Sequence, residues 1–397
     1  MRAVAVVGGG IVGACAAFHL ARAGLLVHCI EAGEVGGGTT AVSFARLSAY
    51  QQPTATRFRI SSEGIAEYRA LARLVDLEPW WHRSGSLVWA DADGREALHE
   101  HVERMRGWGY QVSWRSAAEV NRSLDPQVRF ADPAEPVALL PDEGWVDAPG
   151  LAGALLAAAE RRHGLLRWRC RAEALVAGGG EIRAVRLADG TELPVDAVVN
   201  AAGAGAAALA AGVGVPMLPP ARRSGLVVDL KTSAAPPVAV LRGPDLHARA
   251  AGPGLVRVRS DQVDALLGPA LGRSADHSGD GSGEGSSGGS AGGPGEGPAD
   301  GFEVPEDLVA DLLARARRSL PGLAGAGVER VRVGTAVFPA DGHPSVGAVP
   351  AVGGYFEALT NSGVTVGPLM GRLLAEYVTG GEPPELLAEC RPDRLRA

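Results

Sequence analysis

The chain has 397 residues, 46% of them hydrophobic, and carries 45 Asp and Glu against 38 Lys and Arg, a formal charge of −7. The length exceeds that at which one core stops growing, so two domains are expected. The acidic balance argues against a nucleic acid or an anionic membrane as partner and leaves a small molecule as the expected ligand.

Four cysteines, Cys15, Cys29, Cys170 and Cys390, show no CxxC or Cys/His spacing. No zinc site or disulfide framework is therefore expected, no other metal is expected, and the cytoplasm is the expected setting. The apolar amino-terminal run is broken by glycines, which argues against a secretory signal, and no stretch is apolar enough to predict a membrane span.

In chain order, Ala3–Val7 reads as a strand, Ile11–Ala23 as a helix stopped at Gly24, and Leu26–Ile30 as a second strand ending at Glu31. Between the first two lie Gly8, Gly10 and Gly13, spaced G-x-G-x-x-G. The first allows a tight turn, the second lets backbone approach a pyrophosphate, and the third permits close helix–strand packing, while the helix N-terminus favours the negative charge. Glu31 falls where an acidic side chain accepts hydrogen bonds from ribose hydroxyls, and it would repel the 2′-phosphate of NADP. This unit predicts a bound dinucleotide and leaves FAD and NAD both open.

Helical spacing continues over Thr54–Leu74, Arg95–Trp108 and Leu151–Arg162, with a strand at Ser84–Ala90. Ile182–Leu187 and Leu193–Asn200, joined by Asp189-Gly190, predict a hairpin and then a buried strand leading into Ala201-Ala202-Gly203. Gly225–Leu230 and Gly254–Arg259 read as strands of a second sheet. Residues from about 274 to 301 are dominated by Gly and Ser and predict a disordered insertion, because they bury too little apolar surface to offset their ordering entropy. Pro305–Arg318 is a predicted helix, acidic early and basic late. Tyr355–Leu359 is a predicted strand, followed by a turn at Asn361-Ser362-Gly363 and a helix from about Val366 to Val378 with Pro368 in its first turn.

Three further blocks carry a resemblance. Gly36–Thr40 with Ser43-Phe44-Ala45 and Leu47-Ser48-Ala49, Asp196–Gly205, and Pro339–Gly347 leading to Asn361–Leu374 together resemble the D-amino-acid oxidase (glycine and D-amino-acid oxidase) superfamily of FAD-dependent oxidoreductases. The resemblance implies a Rossmann-like α/β FAD-binding domain and a second, mainly antiparallel α+β substrate domain. The expected division is 1–80, 145–220 and 328–397 for FAD, and 81–144 with 221–327 for substrate. It implies FAD contacts at Gly8, Gly10, Ile11, Val12 and Gly13, at Glu31 and Ala32, and at Gly38, Thr39, Thr40 and Ser43. It further implies contacts at Ala172, Ala202 and Gly203, and at Asn361, Ser362, Gly363, Val364 and Thr365. The last group opens a helix whose positive end suits the charge that builds on a reduced flavin.

The chain also departs from the family pattern. Ala336 stands where many members carry the arginine that grips a substrate carboxylate, and Asn361 stands where histidine is frequent. No cysteine occupies Gly334–Val337, where one branch attaches its flavin, so non-covalent FAD is expected. Tyr50, Gln52, His82, His247, Arg249, Arg257 and His343 are candidate substrate contacts, and Arg249 is the preferred replacement carboxylate ligand. The expected reaction is hydride transfer from the C–N carbon of an amine or amino acid to flavin N5, giving an imine, with oxygen or another carrier accepting the electrons. Such transfer needs a neutral, oriented amine more than a protein base, so no catalytic acid or base is assigned. The alternatives are a flavoprotein partner subunit without amine oxidation, and an NAD-dependent dehydrogenase.

Overall fold

The computed structural model describes residues 2–217, 221–267 and 304–396; the insertion expected at about 274–301 lies outside the described residues. The chain divides into two compact units, Met1–Trp81, Val146–Arg222 and Ala336–Ala397 forming the first, His82–Trp145 and Arg223–Thr335 the second. Parallel and antiparallel sheets occur together, in keeping with the expected mixed α/β class.

The first unit is built on a six-stranded sheet in the order Ser345–Ala348, Tyr355–Leu359, Ala197–Asn200, Ala3–Val7, Leu26–Ile30, Gly164–Arg167. Only Ser345–Ala348 runs antiparallel. Ala197–Asn200 is buried throughout, and so are all but the first residue of Ala3–Val7. Continuous apolar runs of this kind belong in the middle of a parallel sheet covered on both faces. From Ala3–Val7 the chain passes through the helix Ile11–Arg22 to Leu26–Ile30 on one side, while Ala197–Asn200 flanks it on the other. The order therefore reverses at the end of Ala3–Val7, where open α/β sheets form a binding crevice. A small antiparallel sheet, Ala172–Gly178, Glu181–Leu187 and Glu192–Pro194, completes this unit.

The helix expected from Val366 starts three residues earlier, spanning Gly363–Gly380, which places Pro368 in its interior rather than its first turn. A proline there cannot donate to the carbonyl four residues back. That carbonyl, Val364 O, instead accepts the Tyr68 hydroxyl at 2.5 Å, from the helix Ala55–Leu71. The long-range bond replaces the missing local one, which is why local rules placed the helix start too late.

Small residues bring this carboxy-terminal helix against Ile11–Arg22. A Cβ on Gly371 would lie 2.6 Å from the Cys15 carbonyl carbon, and one on Gly363 2.8 Å from Val12 Cγ2. Gly363 meets Val12 while Gly371, two turns on, meets Cys15, so the two helices run in the same direction with adjacent N-termini. On the same helix pair, His19 is buried and its Nε2 has no hydrogen-bond partner among the described residues. Burial, aided by the Arg22 and Arg372 charges, pushes its pKa down to about 3.

The second unit holds an eight-stranded sheet in the order Gly327–Phe338, Ala221–Lys231, Leu255–Arg259, His247–Gly252, Val240–Arg242, Ser86–Val88, Pro136–Leu140, Ser113–Ser116. Val240–Arg242 pairs in parallel with Ser86–Val88, whereas the neighbours on either side of that pair are antiparallel. Alternation sends Val228, Leu230, Ala248, Val256 and Val258 into a core with Leu308, Leu312 and Ala316 of the helix Glu306–Ser319. Asp229, Arg249 and Arg257 accordingly stand on the opposite face.

Two outcomes are expected. Tyr68→Phe leaves a buried carbonyl unsatisfied and lowers stability by about 1–3 kcal/mol, read from urea unfolding. His19 binds its proton more weakly folded than unfolded, so stability held above pH 6.5 is lost as pH falls toward 3. His19→Leu therefore shrinks the fall in urea midpoint between pH 7 and pH 4, and an unchanged fall would contradict this.

Candidate active site

The glycine turn is held by backbone against backbone. Gly8 sits at φ +111°, its N–H donates to Ile30 O at 2.8 Å, and a Cβ there would lie 2.4 Å from Ala201 O. A Cβ on Gly13 would lie 1.8 Å from Gly8 O. Only glycine fits either position. Gly10 caps the helix without a side chain, so the first turn from Ile11 through Val12 points its donors outward; Ile11 N–H is met by Thr40 Oγ1 at 3.1 Å.

Glu31 closes the other side of the turn. Its Oε2 accepts from Gly9 N–H at 2.6 Å and its Oε1 from Gly33 N–H at 2.7 Å. Each carboxylate oxygen retains further acceptor capacity, and the side chain is partly exposed beside exposed Ala32. Cys170 N–H donates to Glu31 O, which carries the chain past Glu31 to Ala172 at the start of its strand. Ala202 and Gly203 follow the central strand Ala197–Asn200 beside Gly8, with Ala202 N–H donating to Asn200 Oδ1.

Two blocks far apart in sequence meet at Thr365. Exposed Gly38 and Thr39 open the short helix Thr39–Val42, after which residues 43–51 form a loop, interrupted by the two-residue strand Arg46–Leu47, that holds Ala45 and Gln51 at φ 55° and 60°. Strained backbone of this kind concentrates at functional sites. Ser43 Oγ accepts from Ala45 N–H, and Ser48 Oγ accepts from Tyr50 N–H. Thr365 Oγ1 accepts from Ser48 N–H at 3.3 Å and donates to Arg46 O at 3.4 Å. The carboxy-terminal helix begins after Ser362 with no side-chain cap, so Gly363, Val364 and Thr365 form a second positive helix end beside the first. Asn361 Oδ1 is buried there with no hydrogen-bond partner among the described residues.

The candidate substrate contacts separate into two groups. Tyr50 is buried and Gln52 half-buried in the first unit's strained loop. His343 stands elsewhere in that unit, where Arg394 binds both Asp341 and the His343 carbonyl; burial and then the Arg57 charge lower its pKa. In the second unit, His82 stacks on Trp145 with centroids 3.7 Å apart, and the Arg249 guanidinium lies 4.4 Å from the same ring centre. Arg249 is 2% exposed and donates to Ala250 O. His247 is bonded to Arg259 and lies near Asp261.

Arg257 binds both Asp229 oxygens, at 2.7 and 2.9 Å, and Arg332 joins on Oδ2. Burial alone would raise the Asp229 pKa, but the Arg257 bond and the Arg257, Arg332 and Arg249 charges outweigh it and hold the pKa low. Sequence reasoning missed Trp145, Asp229 and Arg332. The alternation in Leu255–Arg259 was visible, but its cross-strand partners were not.

A family model described as FAD dependent oxidoreductase matches residues 3–377. The chain belongs to that family. It is 30% identical over 166 residues to glycine oxidase of Geobacillus kaustophilus, covering 39% of this chain and 43% of that protein. Over 396 residues it is 25% identical to mitochondrial dimethylglycine dehydrogenase of Homo sapiens, covering 98% of this chain and 44% of the relative. The match thus spans less than half the length of these curated relatives. Among solved structures, the same glycine oxidase superposes with a TM-score of 0.80 at 22% identity, covering 99% of both chains, which shows the fold. Iminodiacetate oxidase of Chelativorans sp. BNC1 gives 0.74 at 25% identity, covering 98% of both.

If Thr365 fastens the strained loop, Thr365→Val speeds amide exchange at Ser48 and its neighbours about tenfold, with exchange in Ala3–Val7 unchanged.

Proposed function

We propose that the first unit binds FAD non-covalently and that the enzyme oxidises the C–N bond of a carboxylate-bearing amine. The observation that carries the cofactor assignment is the meeting of two uncapped helix N-termini with the unpartnered Asn361 Oδ1. One end suits a pyrophosphate, the other suits the electron-rich edge of a flavin, and the Asn361 oxygen suits a ring N–H. Glu31 has acceptor capacity for ribose hydroxyls. These residues fit the group that the family uses.

Non-covalent attachment is supported by the side chains around the two blocks. Residues 36–52 and 333–338 contain no cysteine or histidine. Cys390 is buried, and burial raises its thiol pKa to about 11, which withholds the reactive thiolate.

For the substrate, Arg249 replaces the clamp absent at Ala336. Its guanidinium, held against the Trp145 ring, can pair a carboxylate in a fixed orientation and so orient the amine. The named relatives support this class: glycine oxidase, dimethylglycine dehydrogenase and iminodiacetate oxidase are each named for a carboxylated amine. Bound FAD supplies the hydride acceptor, at N5. The neutral amine would lose a hydride from its carbon to leave an iminium ion, the protonated imine, which water would hydrolyse to a carbonyl compound and an ammonium group, and oxygen or another carrier would take the two electrons. No protein base is assigned, since a neutral amine suffices.

Acid precipitation of the purified yellow protein should release the flavin into the supernatant. Anaerobic mixing with a panel of amines should bleach the flavin with carboxylated amines and not with their decarboxylated counterparts. Arg249→Met should raise KM roughly 10–100-fold with a smaller change in kcat. A flavin that no amine bleaches would favour the partner-subunit reading.

A further inference from the structure

Two neighbouring clusters on the polar face of the second unit's sheet are balanced differently. In one, Arg259 binds two carboxylates, Asp261 at 2.6 Å and Asp264 at 2.5 Å. That cluster holds more carboxylates than guanidiniums. In the other, Asp229 faces Arg257 in register, and Arg257 faces Arg249 on the next strand. Arg332, from the strand on the far side of Asp229, reaches the same carboxylate. Here one carboxylate serves two guanidiniums directly and feels the charge of a third.

The unsatisfied atom in this row is Arg332 Nε, buried with no hydrogen-bond partner among the described residues. The row also opens toward solvent at that end. Arg249 is 2% exposed, whereas the Arg257 and Arg332 side chains keep 12% and 18% of their surface. A half-buried guanidinium with an orphaned donor is costly unless an anion completes it. Burial and the Arg257 charge lower the Arg332 pKa, which is the strain that such an anion would relieve.

We infer that the row recognises a second acidic group on the substrate: Arg249 takes the carboxylate next to the amine, and Arg332, with Arg257, takes the other. The substrate class is then an amine carrying two carboxylates. This rests on the reading of Arg249 above. Neighbouring strands are about 5 Å apart, so Arg257 stands about 5 Å and Arg332 about 15 Å from Arg249 along the sheet, and acid groups at least about 5 Å apart match the row.

The test uses the FAD-loaded enzyme and reads the binding of unreactive acids by titration calorimetry, so it is independent of turnover. Probes are acetate, butyrate and the diacids malonate, succinate, glutarate and adipate. Diacids of matching length should bind at least tenfold more tightly than the monoacids. Arg332→Gln should abolish that preference while leaving monoacid binding unchanged, and Arg332→Lys should restore part of it. Retained monoacid binding by each variant, at Arg249 in the same sheet, shows that the second unit has folded, since Asp229 keeps its paired bonds to Arg257. Equal binding of diacids and monoacids, or a preference that survives Arg332→Gln, overturns the inference. If monoacids bind and Arg249→Met leaves them bound, the Arg249 reading fails as well. If Arg249→Met removes monoacid binding but no diacid preference exists, only the second subsite fails.

Discussion

The approach of two helix backbones, with Gly371 over Cys15 and Gly363 over Val12, is the constraint on which the first unit depends. Side chains at those glycines would separate the helices and draw their N-termini apart. With the termini adjacent, two sets of unsatisfied N–H groups face one region at the end of the central strands, where the strand order reverses. Thr365 then extends the contact outward by bonding Ser48 and Arg46, and Tyr68 repairs the bond that Pro368 cannot make. Each later feature of the site presupposes the crossing.

Much of this was legible in sequence where the signal is local. Ala3–Val7 and Tyr355–Leu359 match their expected limits because short apolar runs between turn signals have few other fates. The start of Gly363–Gly380 was misread because the donor that makes a helical turn tolerable before Pro368 comes from Tyr68, 296 residues away. Gly164–Arg167 escaped notice for a different reason. It is an edge strand of four residues with Leu165 47% exposed, so neither length nor hydrophobicity marks it.

The substrate side was less legible. Arg249 and Arg257 stand out as arginines in a strand, but their charge balance depends on Asp229 and Arg332 from two other strands. Register decides whether such residues neutralise or accumulate charge, and register is a tertiary property. Ala336 illustrates the same limit: a missing arginine in a motif says what is absent, whereas the guanidinium near Trp145 comes from a different strand altogether.

The bond from Ser48 to Thr365 joins residues 317 positions apart. A chain emerging from its amino-terminal end therefore makes the glycine turn, Glu31 and the strained loop long before it makes the helix that fastens them. Loop-closure entropy over such a separation must be offset by many contacts formed together. The crevice is complete only once Gly363–Gly380 has docked, so a chain that has made the glycine turn and Glu31 but not that helix presents half of it.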